Sequence, residues 1–126
     1  MRKIKLILPL LPVSLNTIQR WLYHRDLWRY NEELETWDNA IMYALMSEYG
    51  PIKLKPIIKK ANITIKFYFK TKAPRDKDNY AGFKPLLDAL KGRVIKDDRD
   101  DWVKVEWELL TDKTKPRTEI EMEETT

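Results

Sequence analysis

The segment ITIKFYFK, residues 63–70, followed by TKAPRDKDN, residues 71–79, decides how this chain reads. Ile63, Ile65, Phe67 and Phe69 alternate with Thr64, Lys66, Tyr68 and Lys70. Successive side chains of a strand point to opposite faces, so this period of two predicts a strand buried on one face. Ala73 and Pro74 end it. Directly beyond stand Arg75, Asp76, Lys77, Asp78 and Asn79, more charge than a plain turn needs.

Working outward, the apolar positions Leu34, Trp37, Ile41, Ala44 and Leu45 predict a helix from about Asn31 to Tyr49, with acids crowding its first turn and Gly50-Pro51 ending it. Phe83, Leu86, Leu87 and Leu90 predict a short helix closing near Gly92, with Pro85 confined to its first turn. Trp102 to Leu110 alternates again, placing Val103, Val105, Trp107 and Leu109 on one face, and Arg117 to Met122 predicts a last strand before a fraying Glu123 to Thr126. At the other end, Ile4 to Leu8 reads as a short first strand running into Pro9 and Pro12. The order strand, helix, strand, helix, strand, strand predicts an α+β fold with a mixed or antiparallel sheet of about four strands and two to three helices. The 126 residues, without repeats or low-complexity tracts, form one domain, 1–126.

Ser14 to Tyr30 supports two readings. It holds Arg20, Trp21, Tyr23, His24, Arg25, Trp28, Arg29 and Tyr30 together, which suits a DNA-facing loop in which rings and guanidinium groups meet sugar and phosphate. Equally, Trp21 and Trp28 can simply cover the core.

Charge is unevenly spread. Residues 51–96 carry 13 Lys/Arg against 3 Asp/Glu, whereas residues 97–126 carry 5 against 11. A basic middle third suits a phosphate backbone, although a solvated lysine-rich surface would look the same. No run approaches the roughly 18 apolar residues of a membrane span, so no membrane partner is expected. The absence of cysteine removes disulfides and thiolate zinc sites and fits a reducing cytoplasm.

Two acidic clusters mark the candidate chemistry: Asp76 with Asp78, and Asp97, Asp98, Asp100 and Asp101 ahead of the next strand. Were extended geometry to persist past residue 75, Asp76 and Asp78 would point to the same side and Lys77 to the other. If the two flanking strands pair, both clusters are expected at nearby ends. Gathered carboxylates repel one another, and a divalent cation sharing their oxygens removes that cost; hard oxygen ligands select Mg²⁺ or Mn²⁺ over zinc. Turn and helix-start residues are the plainer explanation, most of all for Asp97, Asp100 and Asp101 taken singly. The pattern is no EF-hand, because the fifth and sixth positions from Asp76 are Tyr80 and Ala81. Glycine-rich phosphate loops and H-E-x-x-H are absent, which disfavours a nucleotide hydrolase, and the single His24 reads as surface or core.

The run Asp76-Lys77-Asp78-Asn79, then Lys84-Pro85-Leu86-Leu87-Asp88-Ala89-Leu90, then Gly92 and Asp97-Asp98-Arg99, resembles the RusA endonucleases. Their hallmark is D-x-D-N, a short gap, K-x-x-x-D-x-L, and D-D before a strand. Leu8-Pro9 and Pro12 to Asn16 look like the family's early proline-rich segment, and Lys115 to Glu121 like its closing strand. The resemblance implies a homodimeric, Mg²⁺-dependent nuclease, with Mn²⁺ substituting, that nicks opposed strands of a four-way (Holliday) junction or other branched DNA. It implies Asp76, Asp78 and Asp98 as metal ligands and catalytic acids, Lys84 as catalytic lysine, and Asn79 and Asp88 as supporting residues. The gap between Asn79 and Lys84 is two residues longer than in the best-known members, so Lys77 competes for the lysine role. Asn16, Arg20, Arg75, Lys77 and Arg99 are the candidate DNA contacts. The rival reading is a branched-DNA-binding module of the same fold that cuts nothing. Host and phage origins both stay open.

Overall fold

The structure, a computed structural model, describes residues 3–50, 58–80, 84–91, 93–97 and 101–125. The first strand, β1 (Lys3–Leu8), buries Ile4, Leu6 and Leu8 and exposes the residues between them. Beyond the proline-rich segment, Ser14 caps α1 (Leu15–Tyr23) by accepting a hydrogen bond from the Thr17 amide at 3.2 Å. The chain turns at Arg25 into α2 (Leu27–Tyr49), which ends at Gly50 with φ 76°. The segment with two readings is therefore helical on both sides of a sharp corner.

The second helix begins at Leu27, ahead of the expected start, and its first turn holds no acid. The reason is geometric. Trp37, Ile41, Ala44 and Leu45 are its buried residues, whereas Leu27, Trp28 and Arg29 are exposed, so no core-facing period marks the true beginning.

The remaining elements are β2 (Ala61–Phe69), α3 (Lys84–Leu90), β3 (Val103–Thr111) and β4 (Arg117–Glu124). The sheet order is β1-β4-β2-β3; β4 runs antiparallel to β1 and β2, whereas β2 and β3 are parallel. Central β2 alternates as its sequence predicts, burying every second residue from Ala61 to Phe69. Its apolar row meets Trp37 and Ile41 of α2, Leu86 and Leu90 of α3, and Ile120 and Met122 of β4 in one core. On β3, Val103, Val105, Trp107 and Leu109 share the core side, in register with Ala61, Ile63, Ile65 and Phe67.

The opposite sheet face is a charged one. Lys5 lies 3.7 Å from Glu119 and 3.8 Å from Glu121, and Lys3 lies 3.9 Å from Glu123. Glu123 to Thr125 do not fray as expected, since β4 continues to Glu124 and the Thr125 amide donates to the Lys60 carbonyl at 2.9 Å; Thr126 lies outside the described residues. At the helix layer, Arg93 forms a two-pronged pair with Asp38, its Nη2 3.0 Å from Oδ2 and its Nη1 on Oδ1. With the Arg93 side chain only 16% exposed, this pair ties the end of α3 to α2.

Parallel pairing corrects one expectation. The end of β2 and the start of β3 lie at opposite ends of the shared ladder, so pairing alone does not bring the two acidic clusters together.

Candidate active site

The strand β2 ends at Phe69, earlier than Ala73, and the following loop is held by its own arginine. The Arg75 guanidinium lies 4.1 Å from the centroid of the Phe69 ring and donates to the Thr71 carbonyl at 2.8 Å. Asp76 Oδ1 then accepts from the Asp78 amide at 3.0 Å, and the Asp76 carbonyl accepts from the Asn79 amide at 3.0 Å. An aspartate that bonds the backbone two residues on mimics a turn, and it starts the single 3₁₀ turn Lys77–Tyr80.

Three neighbours seat this turn. Trp107 Nε1 on β3 donates to the Lys77 carbonyl at 3.0 Å, and Lys77 Nζ lies 5.3 Å from the Trp107 ring centroid. The Tyr80 ring packs edge-on against Phe69 with centroids 5.2 Å apart. Asn79 Oδ1 accepts from the Asn16 amide at 3.1 Å, satisfying an N–H that the first turn of α1 leaves unpaired. The partly positive N-terminus of α1 therefore abuts the acidic turn.

The end of the sheet beside this loop is braced as well. The Asp112 amide donates to the Phe69 carbonyl at 2.8 Å, while its carboxylate accepts from Thr114 and Lys115 amides and from Arg117 Nη1 at 2.7 Å. The hydrogen bond from Arg117, helped by those two amides, holds the Asp112 carboxyl below its usual value of 3.8. Arg117 in turn bonds Glu119 at 2.6 Å and stacks 3.9 Å from the Tyr68 ring centroid.

The sequence-predicted residues fall as follows. Asp76 and Asp78 come together on one exposed turn, but not through the extended geometry considered above. With that geometry gone, alternation no longer places Lys77, whose ammonium instead lies over Trp107. Arg75 is engaged by its own loop, Arg20 is exposed on α1, and Asn16 touches the acidic turn through its amide. Lys84 is the first residue of α3, and its Nζ lies 3.6 Å from Asp88 Oδ1 with 66% of the lysine side chain exposed. Asp98 and Arg99 lie outside the described residues, as do Tyr80's successors up to Phe83. Among the described residues, no three acids or histidines gather as a metal cluster. Asp101 lies in the turn before β3, whose first residue, Val103, precedes Trp107 by four residues, roughly 13 Å of strand.

Two exposed carboxylates on a tethered turn fit a small hard cation. Mg²⁺ keeps several waters and commonly takes one or two carboxylates together with substrate phosphate oxygens, so a closed protein cage is not required. The residues that the sequence did not flag are the holders of the turn, Trp107, Phe69 and Tyr80. Trp107 and Phe69 look like core positions because they obey strand alternation, and nothing in their spacing reports the indole N–H.

Fold and turn together define a small α+β domain that offers paired carboxylates amid cations, a setting suited to phosphodiester chemistry. The chain matches the family Endodeoxyribonuclease RusA over residues 16–123, and it belongs to that family. It is thus an endodeoxyribonuclease, a hydrolase acting on DNA. A comparison with curated proteins returned no match.

Proposed function

We propose that the protein resolves four-way junctions in DNA recombination and repair, nicking two opposed strands as a Mg²⁺-dependent homodimer. The observation that carries this reading is the tethered turn bearing Asp76 and Asp78, inside the segment that matches the family. RusA-type nucleases generally depend on a divalent metal. Asp76 and Asp78 would hold the ion with Asp98 as the third acid; bound there, it supplies charge neutralisation at the scissile phosphate and an activated water.

The chain's own residues do the rest. The Asp76–Asp78 and Asn79–Asn16 bonds fix the ligands before DNA arrives, so little reorganisation remains at the moment of reaction. Lys84 serves as the cation beside the reacting phosphate. Its pairing with Asp88 is a surface contact of about 0.5 kcal/mol, readily exchanged for phosphate. Lys70, Lys72 and Lys77, exposed around the turn, position the backbone without reading sequence. Two opposed, equivalent strands call for two equivalent sites, which an isologous dimer provides. The test is to incubate labelled four-way junction and matched linear duplex with the protein, with and without Mg²⁺. Paired, ligatable nicks in the junction alone are expected; binding without cutting would establish the non-cutting module instead.

A further inference from the structure

The corner between α1 and α2 carries an exposed ring-and-cation surface that the acidic turn does not use. Tyr23 is 84% exposed and Trp28 is 62% exposed. Two large rings left in water within six residues are unlike the isolated apolar residues that every surface shows. They are ordered by their neighbours: Tyr23 packs edge-on against His24 with centroids 5.2 Å apart, and the Arg29 guanidinium lies 5.1 Å from the Trp28 ring centroid.

The backbone turn that presents them is strained. Arg25 has φ 59°, the left-handed region that glycine occupies most cheaply. The Asp26 amide donates to the Trp21 carbonyl at 2.8 Å and the Arg25 amide to the Leu22 carbonyl at 3.2 Å, the two bonds of a Schellman helix end. An arginine at the position that glycine favours gives up stability to put a cation at the corner.

We infer that this corner is a stacking platform for unpaired bases of branched DNA, with Tyr23 and Trp28 receiving the bases and Arg25 and Arg29 the flanking phosphates. The inference rests on the reading of the chain as a nuclease acting at DNA branch points. Aromatic rings paired with guanidinium groups bind bases of any identity, because every base offers a π-face. A duplex hides those faces, and a branch point can release them. Charge favours the same occupant: within residues 20–29, Arg20, Arg25 and Arg29 stand against one acid, Asp26, which sits at the N-terminus of α2. A second copy of the chain fits less well, since a two-fold contact here would set like arginines against one another. Placement also agrees. Asn16, at one end of α1, is bonded to Asn79 of the acidic turn, and Tyr23 is seven residues further, about 10 Å along the helix axis and about three base steps of 3.4 Å.

The test uses the full chain in EDTA, so that no cutting is read. Affinities are measured for an oligothymidylate, a four-way junction with unpaired nucleotides at the crossover, and a linear duplex. Trp28→Ala and Tyr23→Ala are expected to weaken the first two by about tenfold each and to leave the duplex unchanged. Trp28→Phe retains most of the affinity, and Arg25→Gly raises the thermal midpoint while weakening binding. Equal losses on duplex and single strand, no loss on any DNA, or a dimer that Trp28→Ala dissociates in sedimentation would each overturn the platform. A wild-type protein that binds through the platform yet never cuts in Mg²⁺ would overturn the nuclease reading alone.

Discussion

Replacing Trp107 by phenylalanine keeps a ring on β3 and deletes the N–H that reaches the Lys77 carbonyl at 3.0 Å. Lys77 is exposed, so water can take over at that carbonyl, and the net cost to folding should be about 1 kcal/mol. For a chain of this length that is a fall of about 4 °C in thermal midpoint. The bonds from Asp76 to Asp78 and from Asn79 to Asn16 survive, so the ligands remain but the turn loses its anchor to the sheet. Outer residues that orient metal ligands typically contribute 10- to 100-fold in metal affinity or activity. Single-turnover cleavage of a labelled junction, titrated with Mg²⁺, should therefore need about tenfold more Mg²⁺ for half its maximal rate, with most of that rate recovered at saturation. Junction affinity in EDTA should not change. A variant that loses the stability but keeps the wild-type Mg²⁺ dependence would show that Trp107 only supports the fold, and the reasoning would fail.

Lys84→Ala should slow single-turnover cleavage about 100-fold with little effect on junction affinity, while Lys77→Ala should weaken binding and reduce its salt slope by about one; the reverse assignment would make Lys77 the catalytic cation. Because Arg117 holds the Asp112 carboxyl below 3.8, the stability this group contributes is full above that pH and is lost as pH falls through its lowered folded value. The midpoints of wild type and Asp112→Asn, well apart at neutral pH, should thus converge on acidification below about pH 3.8, and a constant gap would contradict the linkage. Asp38→Ala leaves the mostly buried Arg93 without its carboxylate and should cost about 2 kcal/mol in urea unfolding; a loss near zero would mean that α2 and α3 hold together by apolar packing alone.

The strands were legible because alternation is a local signal: Ile63 to Phe69 and Val103 to Leu109 sit on the face that their period assigns. The corner at Arg25 was not. A left-handed arginine and two exposed rings carry neither the glycine nor the buried stripe by which sequence announces helix ends. The acidic turn was half legible. Asp76 and Asp78 stand out by charge, yet β2 already ends at Phe69 and the Asp76 carboxylate holds the next residues in a 3₁₀ turn, a competition between side chain and backbone that spacing does not reveal. The direction of the β2–β3 pairing was likewise invisible, because alternation is the same in parallel and antiparallel ladders, and strand pairing alone therefore does not bring the two acidic clusters together.

The claim that these acids carry the chemistry is tested most directly with Asp76→Asn, Asp78→Asn and Asp98→Asn, each compared with wild type in single-turnover cleavage and in binding to the same junction. Each change deletes an anionic ligand near phosphates while keeping the size of the side chain. Every variant is predicted to bind the junction as tightly as wild type or more tightly, and to leave it uncut in Mg²⁺. Cutting at near wild-type rates by any one of them would contradict that residue's place in the site.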